Sequence, residues 1–119
     1  VSTARFDRRA RLLDKSDFSA LFERAERSAD RYFAVLARPN GLGHPRLGLA
    51  ISKRSAKLAV VRNGIKRVIR ESFRVRQQLL GSNDFVVLGR PGIAGTANQA
   101  YFESLEGHWR RLVKRCARS

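Results

Sequence analysis

Arg62-Asn63-Gly64-Ile65-Lys66-Arg67-Val68-Ile69-Arg70-Glu71-Ser72-Phe73-Arg74 has the spacing of one helix with two faces. At about 100° per residue, with Arg62 as origin, Arg62, Lys66, Arg70, Arg74 and Arg67 share one arc of roughly 140°, with Asn63 among them. Val61, Ile65, Val68 and Ile69 gather on the other side, and Phe73 stands at the boundary. One face can enter a core while the other presents five cations to a partner. Guanidinium groups grip phosphate oxygens through two donors at once, so this face suits a polyanion.

The segments around this helix supply the rest of the architecture. Arg31–Arg38 (RYFAVLAR) and Arg46–Ser52 (RLGLAIS) read as strands, and the turn from Pro39 to Pro45 makes them the arms of a hairpin. In the first strand Tyr32, Ala34 and Leu36 alternate with Phe33, Val35 and Ala37. Both sets are largely apolar, so both faces should be covered. The long helix is expected from Lys57 to Leu80, a third strand from Asp84 to Arg90, and a last helix from Ala97 to Arg115 with Phe102, Leu105, Trp109 and Leu112 as its stripe. Upstream, Asp14 can cap a helix over Lys15–Glu26, with Asp17 as a capping-box partner. The expected fold is α+β, an α/β sandwich in the order α-β-β-α-β-α with room for an extra short strand.

The 119 residues predict one domain spanning 1–119, and 43% apolar content can furnish a core. The net charge of +15 points to a nucleic acid. It is concentrated: Lys53 to Arg76 carries nine basic residues against one acid, Glu71. Solvated helix faces usually mix signs at i,i+4, and this one does not. A membrane surface would need a broad exposed apolar face beside the cations, whereas here the apolar arc is accounted for as core. One cysteine, Cys116, allows no internal disulfide and fits a reducing cytoplasm. No apolar run approaches a membrane span, and no secretory leader is read ahead of Ser2.

Catalytic constellations are poor. One Cys and two His do not suggest a zinc site, and no phosphate-binding glycine loop is present. His44 and His108 have no evident partners, and the acids are not grouped for two-metal hydrolysis. Asp84 is expected to cap or pair at a strand start. Asn63, between the cations, is suited to a base edge, a 2′-hydroxyl or a hydrated metal, or simply to solvent. Gly64 is unusual inside a helix, where it costs about 1 kcal/mol relative to Ala. Phe18 and Phe22, an i,i+4 pair, fit either core packing or a platform for unpaired bases; Tyr32 and Leu36 could complete the platform, with Arg11 and Arg31 near enough for phosphates. A ribosomal or RNA-assembly protein that binds structured RNA shares this size and charge. A DNA-binding regulator and a stand-alone nuclease are further alternatives.

The stretch AVVRNGIKRVIRESFR (59–74) resembles the signature helix of the bacterial ribonuclease P protein family, in which Arg-Asn-Arg is followed by a hydrophobic residue, Lys-Arg, two residues and Arg. Arg62, Asn63, Lys66, Arg67 and Arg70 match, and Gly64 replaces the second Arg. RLLDKSDFSALF (11–22), DRYFAVLARP (30–39), RLGLAISKR (46–54), DFVVLGRP (84–91) and SLEGHWRRL (104–112) follow the family's order, so the likeness covers most of the chain. The resemblance implies a left-handed βαβ crossover around the basic helix. It also implies partnership with a catalytic RNA that removes the 5′ leader of precursor tRNA using Mg²⁺ held mainly by RNA, with no catalytic residue in the protein, no membrane and no stable protein partner required. By the same resemblance, Lys53, Arg54, Arg62, Asn63, Lys66, Arg67 and Arg70 would meet the catalytic RNA or its metal-bound phosphates. Arg11, Phe18, Phe22, Tyr32 and Leu36 would line a cleft for the single-stranded leader. In relatives some chains carry Tyr where Leu36 stands.

Overall fold

Alternating apolar residues in two seven-residue strands build the centre of the sheet. The computed structural model describes residues 23–117. In chain order these form β1 (Glu26–Ala29), β2 (Phe33–Pro39), β3 (Arg46–Ala50), α1 (Ala59–Val75), α2 (Gln77–Leu80), β4 (Asn83–Gly89) and α3 (Asn98–Ala117). The strands lie in the order β1-β2-β4-β3. β2 is antiparallel to both β1 and β4, and β3 runs parallel to β4, with Arg46 opposite Asp84 and Ala50 opposite Leu88. The fold is thus α+β, with α1 as the crossover between two adjacent parallel strands.

This order corrects the expected hairpin. The turn after β2 is real, with Gly41 and Gly43 at φ of 68° and 84°, but β4 separates β3 from β2. Asp84 explains part of the preference. Its carboxylate, 6% exposed as a residue, accepts from Arg46 Nε at 2.9 Å, Arg46 Nη2 at 2.8 Å and Asn40 Nδ2 at 2.8 Å. The bidentate pair locks the start of β3 to the start of β4, and Asn40 brings the turn with it. Asp84 therefore pairs at a strand start, as its position in the sequence suggests.

Phe33, Val35 and Ala37 of β2 and Phe85 and Val87 of β4 face one core, together with Ile65, Ile69 and Phe73 of α1 and Leu105, Trp109 and Leu112 of α3. Phe73, Phe85 and Trp109 meet edge to face, with centroids 5.3 to 6.4 Å apart. Trp109 Nε1 donates to Ser72 Oγ at 2.9 Å, so the indole is buried without an orphaned donor. Leu36 and Val86 form a second, smaller cluster with Ala25 and Leu88. The buried stripe of α3 also takes in Tyr101, His108 and Cys116, while Phe102 is half-buried at its edge.

His108 does have partners. Its ring is fully buried; Nδ1 lies 2.8 Å from Ser28 Oγ and 3.2 Å from Arg111 Nη2, and Nε2 lies 3.1 Å from Asp30 Oδ2. A guanidinium can only donate, so Nδ1 is the acceptor and Nε2 carries the proton. Arg111 Nε donates to Ser28 Oγ at 2.8 Å and Ser104 Oγ to Asp30 Oδ2 at 2.5 Å. This chain fastens α3 to β1 and to the turn before β2.

The basic helix is shorter than its sequence period suggests. Arg76, at φ −112° and ψ 14°, separates α1 from the single turn of α2, and Gly81, at φ 61°, ends that turn. Arg76 Nε also donates to Glu106 Oε1 of α3 at 2.5 Å. At the other end of the sheet, β1 claims Glu26, which the expected first helix included. The remainder of that helix up to Phe22, with its caps, lies outside the described residues.

Candidate nucleic-acid interface

The β3–α1–β4 path sets where the cations stand. β3 and β4 end on the same side of the sheet, and β2 begins there. α1 starts at that end, directly after the loop that carries Lys53 and Arg54. This loop is seated by backbone bonds from Gly92 N to Arg54 O and Ile93 N to Ser55 O, both 3.0 Å. Gly89 makes the seat possible: a Cβ there would come within 2.6 Å of Ser55 Oγ and 3.0 Å of Ile51. Lys53 and Arg54 are exposed on its outer side.

On α1, Ile65, Val68, Ile69, Ser72 and Phe73 are buried. Asn63, Arg67 and Arg70 are exposed and Lys66 is half-exposed. Among the described residues no carboxylate pairs with Lys66, Arg67 or Arg70. The first turn holds no acid and Leu58, at the N-cap, offers no side-chain cap, so the positive end of the helix dipole adds to the field. Arg74 differs, because Glu71 accepts from its Nε at 3.0 Å and its Nη2 at 2.5 Å. The hydrogen bond from Arg74, more than its charge, holds the Glu71 carboxyl below its ordinary value.

Arg62 serves a different purpose from its neighbours. Its Nη1 donates to the carbonyls of Ala56 at 3.0 Å and Lys57 at 2.8 Å. The side chain folds back over the entrance to α1 and satisfies carbonyls of the preceding loop. Part of the guanidinium is therefore committed to the protein, and the outward load falls on Lys66, Arg67 and Arg70.

The residues expected in a leader cleft are distributed unevenly. Arg11, Phe18 and Phe22 lie outside the described residues. Leu36 is buried in the cluster with Val86. Tyr32 precedes β2 rather than alternating within it, and packs against the main core. Its ring meets Tyr101 edge to face at 5.9 Å, and the Arg31 guanidinium lies 5.3 Å from its centroid. Arg90 N donates to Tyr32 O at 2.9 Å. Thus Arg31 and the exposed Arg90 extend the basic edge from Lys53 and Arg54. Arg90 follows β4 directly; the sheet order, invisible to local periodicity, brings it beside residue 32.

The oxygen donors at this face are few. Asn63 offers one amide oxygen, and Glu71 is held by Arg74. Among the described residues there is no cluster of three or more His, Cys, Asp or Glu suited to a metal. The face therefore fits phosphate better than a protein-held Mg²⁺, which needs several hard oxygens in an octahedron.

Residues 6–113 match the sequence model of the family Ribonuclease P. The chain belongs to the ribonuclease P protein family. It is 47% identical over 114 residues to the ribonuclease P protein component of Methylococcus capsulatus, covering 96% of this chain and 89% of that one. The ribonuclease P protein component of Nitrosococcus oceani is also 47% identical over 114 residues, with 96% of each chain covered. Among solved structures, the ribonuclease P protein of Staphylococcus aureus superposes with a TM-score of 0.78 at 32% identity, covering 88% of this chain and 95% of that one. That of Thermotoga maritima gives 0.75 at 29% identity, covering 85% and 96%. Membership makes the chain a ribonuclease P protein component, a subunit of an endoribonuclease of tRNA processing. Among the described residues no helix is long and apolar enough to cross a membrane.

Proposed function

We propose that this ribonuclease P protein binds the catalytic RNA of a cytoplasmic holoenzyme through Asn63, Lys66, Arg67 and Arg70 on α1, with Lys53 and Arg54 beside them. The observation that carries this reading is a helix face whose three central cations have no carboxylate partner among the described residues. Such cations lose little by meeting phosphate, because no internal ion pair must be broken first. Arg62 contributes through the donors left after it braces the loop. The leader of precursor tRNA runs past Arg11, Phe18, Phe22 and Tyr32, with the buried Leu36 behind them as support. Mg²⁺, held mainly by RNA, supplies the hydrolysis when the complex is assembled. The protein's part is to neutralise and position phosphates.

The test is reconstitution of the full chain with a bacterial ribonuclease P RNA and a precursor tRNA at low Mg²⁺. Accurate leader removal, enhanced over RNA alone, is expected. No enhancement, or equal cleavage by protein without RNA, overturns the reading. Phe22→Ala is expected to reduce the dependence of cleavage on leader length while leaving the fold intact.

A further inference from the structure

Gly64 is not explained by the fold. It sits in the second turn of α1 and has none of the positive φ that requires glycine. A Cβ built there meets nothing within 4 Å. Alanine would fit and, as the better helix former, would stabilise the helix. The protein thus retains a locally unfavourable residue at an open surface position.

The surroundings give that position a use. At about 100° per residue, Gly64 lies on the flank of α1 beyond Arg67, about 40° round from Val60 and about 20° from Glu71. Val60 is 75% exposed and Leu58, just before the helix, 62%. Glu71, two turns along the same flank, is held by Arg74. The flank is therefore a lip without cations, running beside the row Asn63, Arg67 and Arg70. It offers no charge to a phosphate. It does offer bare main chain at Gly64 and an apolar edge at Val60, surfaces that suit the C–H and hydroxyl edge of a ribose.

We propose that Gly64, with Val60 one turn ahead, forms a seat in which a ribose of the catalytic RNA lies against the main chain of α1 while Arg67 and Arg70 hold neighbouring phosphates. This rests on the RNA reading of the cationic face and adds a positioning role to it. The seat fixes how closely the RNA approaches the helix; the cations alone would tolerate a range of distances.

The test compares the full-length wild type, Gly64→Ala, Gly64→Arg and Val60→Ser for binding to ribonuclease P RNA at several salt concentrations, with thermal unfolding of each. Gly64→Ala is expected to raise Tm yet bind roughly tenfold more weakly, equivalent to about 1.4 kcal/mol, with an unchanged salt slope. Val60→Ser should weaken binding in the same salt-independent way. In hydroxyl-radical footprinting, a ribose protected by the wild type should become open to cleavage with Gly64→Ala. Two results overturn the seat: Gly64→Ala binding as tightly as wild type, or Gly64→Arg binding more tightly with a salt slope steeper by about one counterion. The second would make Gly64 merely a missing cation. Failure of the wild type itself to bind RNA would instead overturn the reading of the whole face, and the seat with it.

Discussion

Replacing Lys66 and Arg70 together with alanine tests the outward face at its centre. Both residues lie on the exposed side of α1, neither has a carboxylate partner among the described residues, and alanine is a better helix former than either. The fold should therefore persist, with Tm held or slightly raised by relief of like-charge repulsion. Each phosphate that the variant no longer neutralises should flatten the plot of log affinity against log salt by about 0.7 to 0.9. For two phosphates the slope should fall by about 1.4 to 1.8. Between 50 and 200 mM salt, a slope difference of that size means the gap between wild type and variant narrows by roughly seven- to twelvefold. The assay is equilibrium binding to ribonuclease P RNA across that range, at fixed Mg²⁺. Parallel lines would refute the reasoning even if the variant bound weakly, because the two side chains would then be acting without displacing counterions. Arg62→Ala provides a contrast. It removes the brace on the Ala56 and Lys57 carbonyls, so its loss of RNA affinity should be accompanied by a lower Tm.

Asp84→Ala should be the most damaging of the single polar changes, since it leaves the half-buried Arg46 and Asn40 without their shared acceptor. A loss of about 3 kcal/mol is expected in urea unfolding, the low end for a buried pair because the Arg46 side chain keeps 23% exposure. Burial pushes His108 below the ordinary imidazole value of 6.5, outweighing the nearby Asp30 carboxylate. The unfolded chain therefore takes up a proton before the folded one, so stability is full above about pH 6.5 and falls as pH drops through the range below it, by at most about 1.4 kcal/mol per pH unit. Burial acts to raise Asp30, but Ser104, the Phe33 and Tyr32 N–H groups and His108 together hold it below 3.8, adding a further loss of the same sign in stronger acid. Urea midpoints from pH 8 to 3 check both, and stability rising as pH falls through 6 would show that the imidazolium–Asp30 pair dominates instead. Burial, assisted by Glu26, pushes the Cys116 thiol to about 11. A thiol reagent should consequently label it only on unfolding, and rapid labelling of the native protein would place α3 elsewhere.

Where local period determined an element, the sequence was readable. The charged and apolar arcs of Arg62–Arg74 delivered α1, and the apolar cores of residues 33–37 and 85–88 delivered β2 and β4. β1 was hidden because Glu26-Arg27-Ser28-Ala29 has no apolar alternation; it is a short edge strand held by β2 and by the polar chain through His108. The sheet order was hidden because strand neighbours are chosen by nonlocal contacts, and a good turn sequence between β2 and β3 looks the same whether or not its arms pair. The matching charges of Arg46 and Asp84 at two strand starts were the available clue. The cations of the candidate interface were legible from spacing alone. Their division of labour was not: that Arg62 turns inward, that Arg74 is held by Glu71 and that Arg90 joins the edge all depend on what the backbone brings within 3 Å.

The close approach of Gly89 to Ser55 has a consequence for mapping by mutation. The strand end and the loop touch so closely that position 89 acts as a hinge pin for Lys53 and Arg54. A bulkier residue there would lever both cations away from α1 without altering any group that faces outward. RNA affinity would then fall through a glycine that carries no charge and no side chain of its own. On this protein a map of affinity loss records two things superimposed, the surface that meets RNA and the scaffold that sets the spacing of its charges, and a parallel fall in Tm is what marks the scaffold.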